Sequence, residues 1–168
     1  GGGGFLLFRS ATGEAVAYDF RETAPAAATS EMFLRGGVYD AELHHRSGRA
    51  VGVPGTVAGL HLAWRERGKL PWERLVGPAI RLARGGILVT DDIERSLLEM
   101  RRDRWGEHPG TIAQFTRNGE PYRIGDRLKQ EDLARTLERI AAEGPKGFYE
   151  GETARLIVEE MGRVGGLI

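Results

Sequence analysis

The residues best suited to chemistry are the charged segment Asp19-Phe20-Arg21-Glu22, which ends an alternating apolar stretch and precedes Pro25. This pattern places Arg21 at the end of a strand, where the chain turns away. A guanidinium held there offers a rigid pair of N–H donors to a carboxylate, and such charge-assisted contacts contribute on the order of 1.5–3 kcal/mol. On these residues alone two interpretations stay open. Arg21 either binds a carboxylate ligand or forms a structural ion pair with Asp19 or another buried acid, which is the commoner arrangement.

Motifs for other chemistries are missing from the sequence, which has no Gly-x-Ser-x-Gly, no His-Glu-x-x-His and no cysteine. His44 and His45 fall in a segment without periodicity, where neighbouring side chains point apart, so we expect solvated loop histidines rather than metal ligands. His61 and His108 are predicted on a helix face and in a turn. Gly1–Gly4 precede a strand without a phosphate-binding motif, so we expect them to allow close backbone packing. We therefore predict neither a metal nor a cofactor.

The charge balance argues against two classes of partner. The 168 residues include 24 Lys and Arg and 24 Asp and Glu, so the formal net charge is zero. Nucleic acids and anionic membranes are bound through a basic excess or patch. No apolar run approaches the roughly 18–20 residues that span a bilayer. We predict no nucleic-acid partner and no membrane contact from this segment.

Hydrophobic alternation predicts two strands, Phe5–Arg9 and Ala15–Arg21, joined as a β-hairpin by a short loop that contains glycine. A helix is predicted over Ala26–Leu34, ended by the pair Gly36-Gly37. Residues 38–53 show no period and are predicted to form a loop.

Helical spacing dominates the sequence after residue 53. Thr56 is predicted to cap one helix, Pro71 to begin the next, and Thr90 to open a third. Pro78 should kink or break the second of these helices. The predicted fold class is α+β, mainly α, with a β-hairpin followed by five or six helices. The last two helices are marked by the apolar positions Leu133, Leu137, Ile140 and Ala141, and by Ala154, Ile157 and Met161.

Both ends of the sequence suggest that the chain continues. Four glycines stand directly before the apolar strand that begins at Phe5, and a new apolar segment starts at Leu167-Ile168. We expect both termini to lie inside a larger fold.

Several short segments, in order along residues 1–168, resemble the large subunit of γ-glutamyltranspeptidases. Each segment is weak evidence alone, but their order and spacing are similar to those of the family, and Gly36–Ala50 is the least similar stretch. The segments are Gly1–Phe5, Asp19–Pro25, Val53–Gly59, Leu70–Trp72, Pro78–Gly86, Gly147–Gly151 and Gly165–Ile168.

That family consists of N-terminal-nucleophile (Ntn) hydrolases with a four-layer αββα fold, so the resemblance implies that residues 1–168 are a partial large-subunit segment of such a fold. In the family a precursor cleaves itself, and the new N-terminal threonine of the small subunit attacks a γ-glutamyl amide such as that of glutathione. Water or an acceptor amine then releases the γ-glutamyl group. The arginine of the family's Asp-Phe-Arg-Glu segment binds the α-carboxylate of the donor, and the resemblance implies this role for Arg21.

The same resemblance implies a small subunit of the same precursor as partner, no cofactor, and a periplasmic, secreted or cell-surface location. No threonine heads the sequence, and the family's nucleophile segment is absent from it. We therefore expect this chain to hold part of the substrate site, no catalytic residue, and no activity by itself. Two alternatives are a related Ntn acylase or polyglutamate-cleaving enzyme, and a non-catalytic helical binding module.

Overall fold

The computed structural model of the chain describes residues 2–102 and 108–168, which form an α+β structure. It divides into two compact units: the first ends at residue 73 and resumes over 139–168, and the second comprises 74–138. The described residues contain eight α-helices, and their strands form two-stranded antiparallel pairs. The mixed fold class is confirmed. The helices outnumber the five or six predicted, because three short ones carry too few turns to show a period.

The first unit begins with the predicted hairpin, formed by β1 (Phe5–Arg9) and β2 (Ala15–Asp19). Its side chains alternate between the two faces, so Tyr18 is buried whereas Leu7 is 83% exposed. The hairpin is confirmed, although β2 ends at Asp19 and not at Arg21 as predicted.

The turn end of this hairpin is attached to α2 (Thr56–Arg67) by an ion pair. The Arg67 guanidinium donates to both carboxylate oxygens of Glu14, at 2.7 and 3.1 Å, and lies 5.3 Å from the centre of the Phe8 ring. The hydrogen bond with Glu14, followed by that with Tyr18, raises the pKa of Arg67.

The predicted helix over Ala26–Leu34 is wrong. Turns occupy most of that stretch, and a small hairpin of β3 (Leu34–Arg35) and β4 (Val38–Tyr39) follows. Gly36 and Gly37 have φ values of 60° and 81°, the left-handed conformation that a two-residue hairpin turn requires at both central positions. The glycine pair therefore reverses a hairpin instead of ending a helix.

The loop predicted over residues 38–53 is also partly wrong, because it contains helix α1 (Ala41–Arg46) and a 3₁₀ turn (Gly48–Ala50). Asp40 caps α1: its Oδ1 accepts hydrogen bonds from the backbone N–H groups of Glu42 and Leu43 at 2.9 and 3.1 Å. Local capping thus starts a helix that is too short to show hydrophobic periodicity.

Helix α2 has Gly55 as its cap residue and Thr56 as its first residue, so Thr56 is not the cap that was predicted. Helix α3 (Trp72–Gly85) begins one residue after Pro71 and continues through Pro78, so of the two predicted effects of Pro78, a kink or a break, the break does not occur. The Trp72 indole N–H donates to the Ile140 carbonyl at 2.9 Å, which joins the start of α3 to the end of α6 (Glu131–Glu143).

Two helices follow α6 in the first unit, α7 (Lys146–Tyr149) and α8 (Gly151–Arg163). Their contact depends on Thr153, which is 4% exposed. Its hydroxyl donates to the Gly147 carbonyl at 2.7 Å and accepts from Arg139 Nε at 2.8 Å. A buried polar group is thereby fully satisfied.

The second unit contains α4 (Asp91–Arg102), which begins after Thr90 as predicted, and α5 (Pro109–Phe115). Its strands pair as β5 (Ile87–Leu88) with β8 (Arg127–Leu128) and as β6 (Thr116–Arg117) with β7 (Glu120–Pro121). In the predicted α6 stripe, Ile140 and Ala141 are buried as expected, whereas Leu133 is 42% exposed and its neighbour Ala134 is fully buried.

Within residues 2–102 and 108–168, no helix has both the length and the apolar character needed to cross a bilayer.

Replacing Asp40 with asparagine should reduce the acid sensitivity of the fold. The backbone hydrogen bond from Leu43, and to a lesser extent Arg35, lowers the pKa of Asp40. The unfolded chain takes up this proton at a higher pH than the folded chain. The ionised Asp40 carboxylate therefore contributes its full stabilisation at pH values above the ordinary pKa of a carboxyl group. This stabilisation is lost as the pH falls through the lowered pKa of the folded state. Asparagine keeps the cap but has no proton to gain.

Urea unfolding of both proteins at pH values from about 3 to 7 measures this effect. We expect the wild type to lose more stability than Asp40→Asn toward the acid end. Parallel curves would show that Asp40 has no part in the acid response.

Candidate functional site

Arg21 lies where the β1–β2 pairing ends. Beyond β2 the Phe20 N–H still donates to the Gly4 carbonyl at 2.9 Å, and the Gly4 N–H donates back at 3.3 Å. The Arg21 N–H then donates to Asp19 Oδ1 at 3.0 Å. This side-chain contact replaces the strand ladder and changes the direction of the chain at Arg21.

A second segment holds the residues after Arg21. Thr23 and Val53 exchange backbone hydrogen bonds of 3.2 and 2.8 Å. At the start of α2, the Gly55 and Thr56 N–H groups both donate to the Gly2 carbonyl, at 2.8 and 3.2 Å. The stretch from Phe20 to Thr23 is therefore held between the N-terminal residues and the segment that leads into α2.

Glycine is required at this contact because the backbones approach so closely. A Cβ on Gly3 would lie 2.4 Å from Arg21 Cα, and one on Gly55 would lie 2.3 Å from the Phe20 oxygen. A Cβ on Gly59 would lie 2.2 Å from Phe20 Cβ. The predicted packing role of the first glycines is thus confirmed for Gly3, whereas Gly1 lies outside the described residues.

Tyr149 completes the support, and sequence reasoning missed it. Its hydroxyl donates to the Pro54 carbonyl at 2.6 Å and accepts from the Ala58 N–H at 3.3 Å. Helix α7 is thereby joined to the first turn of α2, next to Gly55. The position of Tyr149 within the Gly147–Gly151 segment was the available indication, but nothing local shows which partner it binds.

The Arg21 side chain is 55% exposed and contacts Glu22, with 2.8 Å between Nη2 and Oε1. Asp19, the partner considered from the sequence, binds the backbone instead. Within residues 2–102 and 108–168 no second carboxylate contacts this guanidinium. Exposed ion pairs contribute at most about 1 kcal/mol. Because this ion pair is weak and more than half of the Arg21 side chain is exposed, the guanidinium is accessible to an incoming carboxylate.

Glu22 has a different environment at each oxygen. Oε1 accepts from Arg21, while Oε2 is buried and has no hydrogen-bond partner among the described residues. A cavity of about 470 Å³ lies beside Glu22, and Arg21 is outside the set of residues that line it. The lining consists of Glu22, Thr23, Ala24, Pro25, Ala28, Thr29, Met32, Phe33, Arg49, Ala50, Val51 and Gly52.

The histidines depart in part from the prediction. His44 and His45 lie in helix α1, not in a loop, and both contact the Tyr39 hydroxyl rather than pointing apart. His61 lies on α2 as predicted, and His108 is the cap residue of α5. The part of the chain that the structure describes has no group of three or more His, Cys, Asp or Glu arranged to hold a metal ion.

The sequence profile of the family described as Gamma-glutamyltranspeptidase matches residues 1–168. The chain belongs to the γ-glutamyltranspeptidase family. This confirms the resemblance found in the sequence.

Curated relatives in the family are much longer than this chain. The glutathione hydrolase proenzyme of Escherichia coli strain K12 is 45% identical over 169 residues, covering 100% of this chain and 29% of the relative. Glutathione hydrolase 2 of Arabidopsis thaliana is 40% identical over 168 residues, covering 100% of this chain and 28% of the relative. The chain thus spans less than a third of the length of these relatives.

Solved structures of γ-glutamyltranspeptidases share the fold. The Helicobacter pylori enzyme matches with a TM-score of 0.95 and 40% identity, covering 100% of this chain and 48% of that chain. The Pseudomonas nitroreducens enzyme, complexed with L-DON, matches with a TM-score of 0.85 and 40% identity, covering 100% of this chain and 49% of that chain. The fold is that of the Ntn hydrolases, as the resemblance implied.

Two glycine-to-alanine variants test the close packing around Phe20. Gly59→Ala should destabilise the protein by about 1–3 kcal/mol, because the new methyl group overlaps Phe20 and the backbone must shift. Gly162 is the matched control, since it also lies within a helix but a Cβ there meets nothing within 4 Å. Gly162→Ala should be neutral or stabilising by up to about 1 kcal/mol.

Denaturant midpoints measure both variants under the same conditions. Equal midpoints for Gly59→Ala and the wild type would show that α2 does not depend on glycine at this contact.

Proposed function

We propose that this chain is part of a γ-glutamyltransferase and glutathione hydrolase, in which it supplies the group that binds the α-carboxylate of the γ-glutamyl donor. The observation that carries the proposal is the position of Arg21. Its guanidinium is half-exposed, and the backbone beneath it is fixed by glycine contacts and by the Thr23–Val53 hydrogen bonds.

The role of Arg21 is to position the donor rather than to react with it. In the proposed reaction a threonine of the small subunit attacks the γ-glutamyl amide and forms a γ-glutamyl enzyme, which water or an acceptor amine resolves. Holding the α-carboxylate in a two-pronged contact fixes the distant amide in the orientation for attack and removes much of the entropic cost. Because this chain contributes binding but no nucleophile, we expect it to be inactive alone.

A small subunit from the same precursor is the proposed partner. One feature of the first unit supports a covering segment, the outer face of β1, where Phe5 and Leu7 are 67% and 83% exposed. The names of several relatives also identify them as proenzymes. The family further supports a location in the periplasm, the medium or the cell surface, which stays a prediction.

Replacing Arg21 with lysine in the complete enzyme should weaken donor binding selectively. An ammonium carries the same charge but lacks the planar pair of donors. We expect the KM for a γ-glutamyl anilide to rise on the order of 10- to 100-fold, with a smaller change in kcat. Steady-state kinetics measure both constants.

Arg95→Lys is the matched control, because Arg95 is also exposed and also pairs with a nearby carboxylate, that of Asp91 at 3.0 Å. It should leave both constants unchanged. Donor kinetics that Arg21→Lys does not alter would refute the carboxylate-binding role. Preference for a side-chain amide antibiotic over the γ-glutamyl anilide would indicate a related acylase instead.

Glu22→Gln tests whether Glu22 holds the Arg21 guanidinium in place. Glutamine keeps the shape but loses the charge that orients Arg21, so we expect the donor KM to rise by roughly 3- to 10-fold at nearly constant kcat. Because both residues act on one interaction, the effect should largely disappear in the Arg21→Lys background.

Glu152→Gln, at an exposed glutamate that pairs with Arg155, is the control and should have no effect on KM. Fully additive effects of the Glu22 and Arg21 variants would contradict the positioning role.

A further inference from the structure

A second group of polar side chains lies in the first unit, where β4 meets α1. The hydroxyl of Tyr39, at the end of β4, is 2.8 Å from His44 Nδ1 and 3.2 Å from His45 Nε2. Both imidazole nitrogens therefore lie within hydrogen-bond distance of one phenol oxygen, and none of these three atoms belongs to the candidate substrate site.

The convergence is unusual for neighbours on a helix, whose side chains are separated by about 100° around the axis. Here the His44 and His45 rings stack with their centroids 4.4 Å apart and their planes at 30°. The Phe33 ring also lies 4.4 Å from the His44 ring. These aromatic contacts hold both imidazoles in the orientation that directs their nitrogens at Tyr39.

The backbone around the group is fixed as well. The Asp40 N–H donates to the Phe33 carbonyl at 2.9 Å, and the Asp40 side chain caps α1. Tyr39 and the histidines are thus carried by elements whose relative position does not depend on the contact between them. The site is also accessible, since Tyr39 is 54% exposed and His45 is exposed.

Hydrogen bonding between the three groups needs one particular arrangement of protons. A phenol has one proton, so Tyr39 donates to one of the two imidazoles and accepts from the other. A cation placed between the three atoms would instead accept a lone pair from each of them. Imidazole nitrogen is a preferred ligand of divalent zinc, copper and nickel ions, and phenolate oxygen is a compatible third donor.

We propose that Tyr39, His44 and His45 form a binding site for a divalent transition-metal ion of this group. The ion binds His44 Nδ1, His45 Nε2 and the Tyr39 oxygen, with water completing its coordination. Ligands held about 2.0–2.1 Å from one metal ion lie roughly 2.9–3.4 Å from one another, so the observed separations of 2.8 and 3.2 Å need to open only slightly when the ion binds. The phenol proton is released to solvent when the phenolate binds, and both imidazoles bind as neutral ligands.

Titration of the full-length protein, free of any polyhistidine tag, with Cu²⁺ tests the site. Calorimetry should show one ion bound per chain, and electron paramagnetic resonance should show nitrogen hyperfine splitting from two imidazoles. Phenolate ligation should add a charge-transfer band in the visible spectrum.

Single variants assign the ligands. His44→Ala and His45→Ala should each weaken binding at least tenfold, and Tyr39→Phe should abolish the charge-transfer band. His108→Ala is the matched control, because His108 lies in the other unit, and it should bind Cu²⁺ like the wild type. Binding that survives both histidine variants, or a spectrum unchanged by Tyr39→Phe, would overturn the proposal. Activity is not part of the readout, so the outcome is independent of the proposed γ-glutamyl chemistry.

Discussion

The structure around the candidate site depends on one constraint, the direct contact of glycine backbones with the chain at Phe20–Glu22. A Cβ at Gly3, Gly55 or Gly59 would come within 2.2–2.4 Å of this stretch. The backbones of Gly3 and Gly55 therefore lie directly against the main chain at the base of the Arg21 side chain, and Gly59 packs against the side chain of Phe20. A functional group carried on such a rigid base keeps its orientation when its surroundings change.

The sequence was informative wherever one local rule decided the structure. Alternating hydrophobic residues predicted the β1–β2 hairpin, and the acidic residues that follow Thr90 predicted the start of α4. The pair Gly36-Gly37 was misread because glycine at positive φ serves both helix ends and hairpin turns, and only the pairing of β3 with β4 distinguishes the two. Helices as short as α7 contain too few residues to show a hydrophobic period.

The sequence predicted Arg21 as the candidate site residue, but it did not predict the contacts around that residue. The position of Arg21 at a strand end left two interpretations open, a carboxylate-binding site and a structural ion pair, and only the resemblance to the γ-glutamyltranspeptidase family favoured the first. The contact of Arg21 with Glu22 and the bonds that Tyr149 makes to Pro54 and Ala58 are set by tertiary distances. The histidines were misjudged for a related reason. Adjacent side chains diverge in an extended loop, whereas Asp40 starts a helix at this position.

The two ends of the β1–β2 hairpin are held by different forces. Near Arg21 the attachment consists of backbone hydrogen bonds and van der Waals contact, whereas the turn end relies on the charge pair of Arg67 with Glu14. Mobile ions screen exposed charges over a Debye length of about 8 Å at physiological ionic strength but leave amide ladders almost unaffected. A concentrated electrolyte should therefore loosen the turn while the end near Arg21 stays anchored, so any fraying of the hairpin starts at the end remote from Arg21.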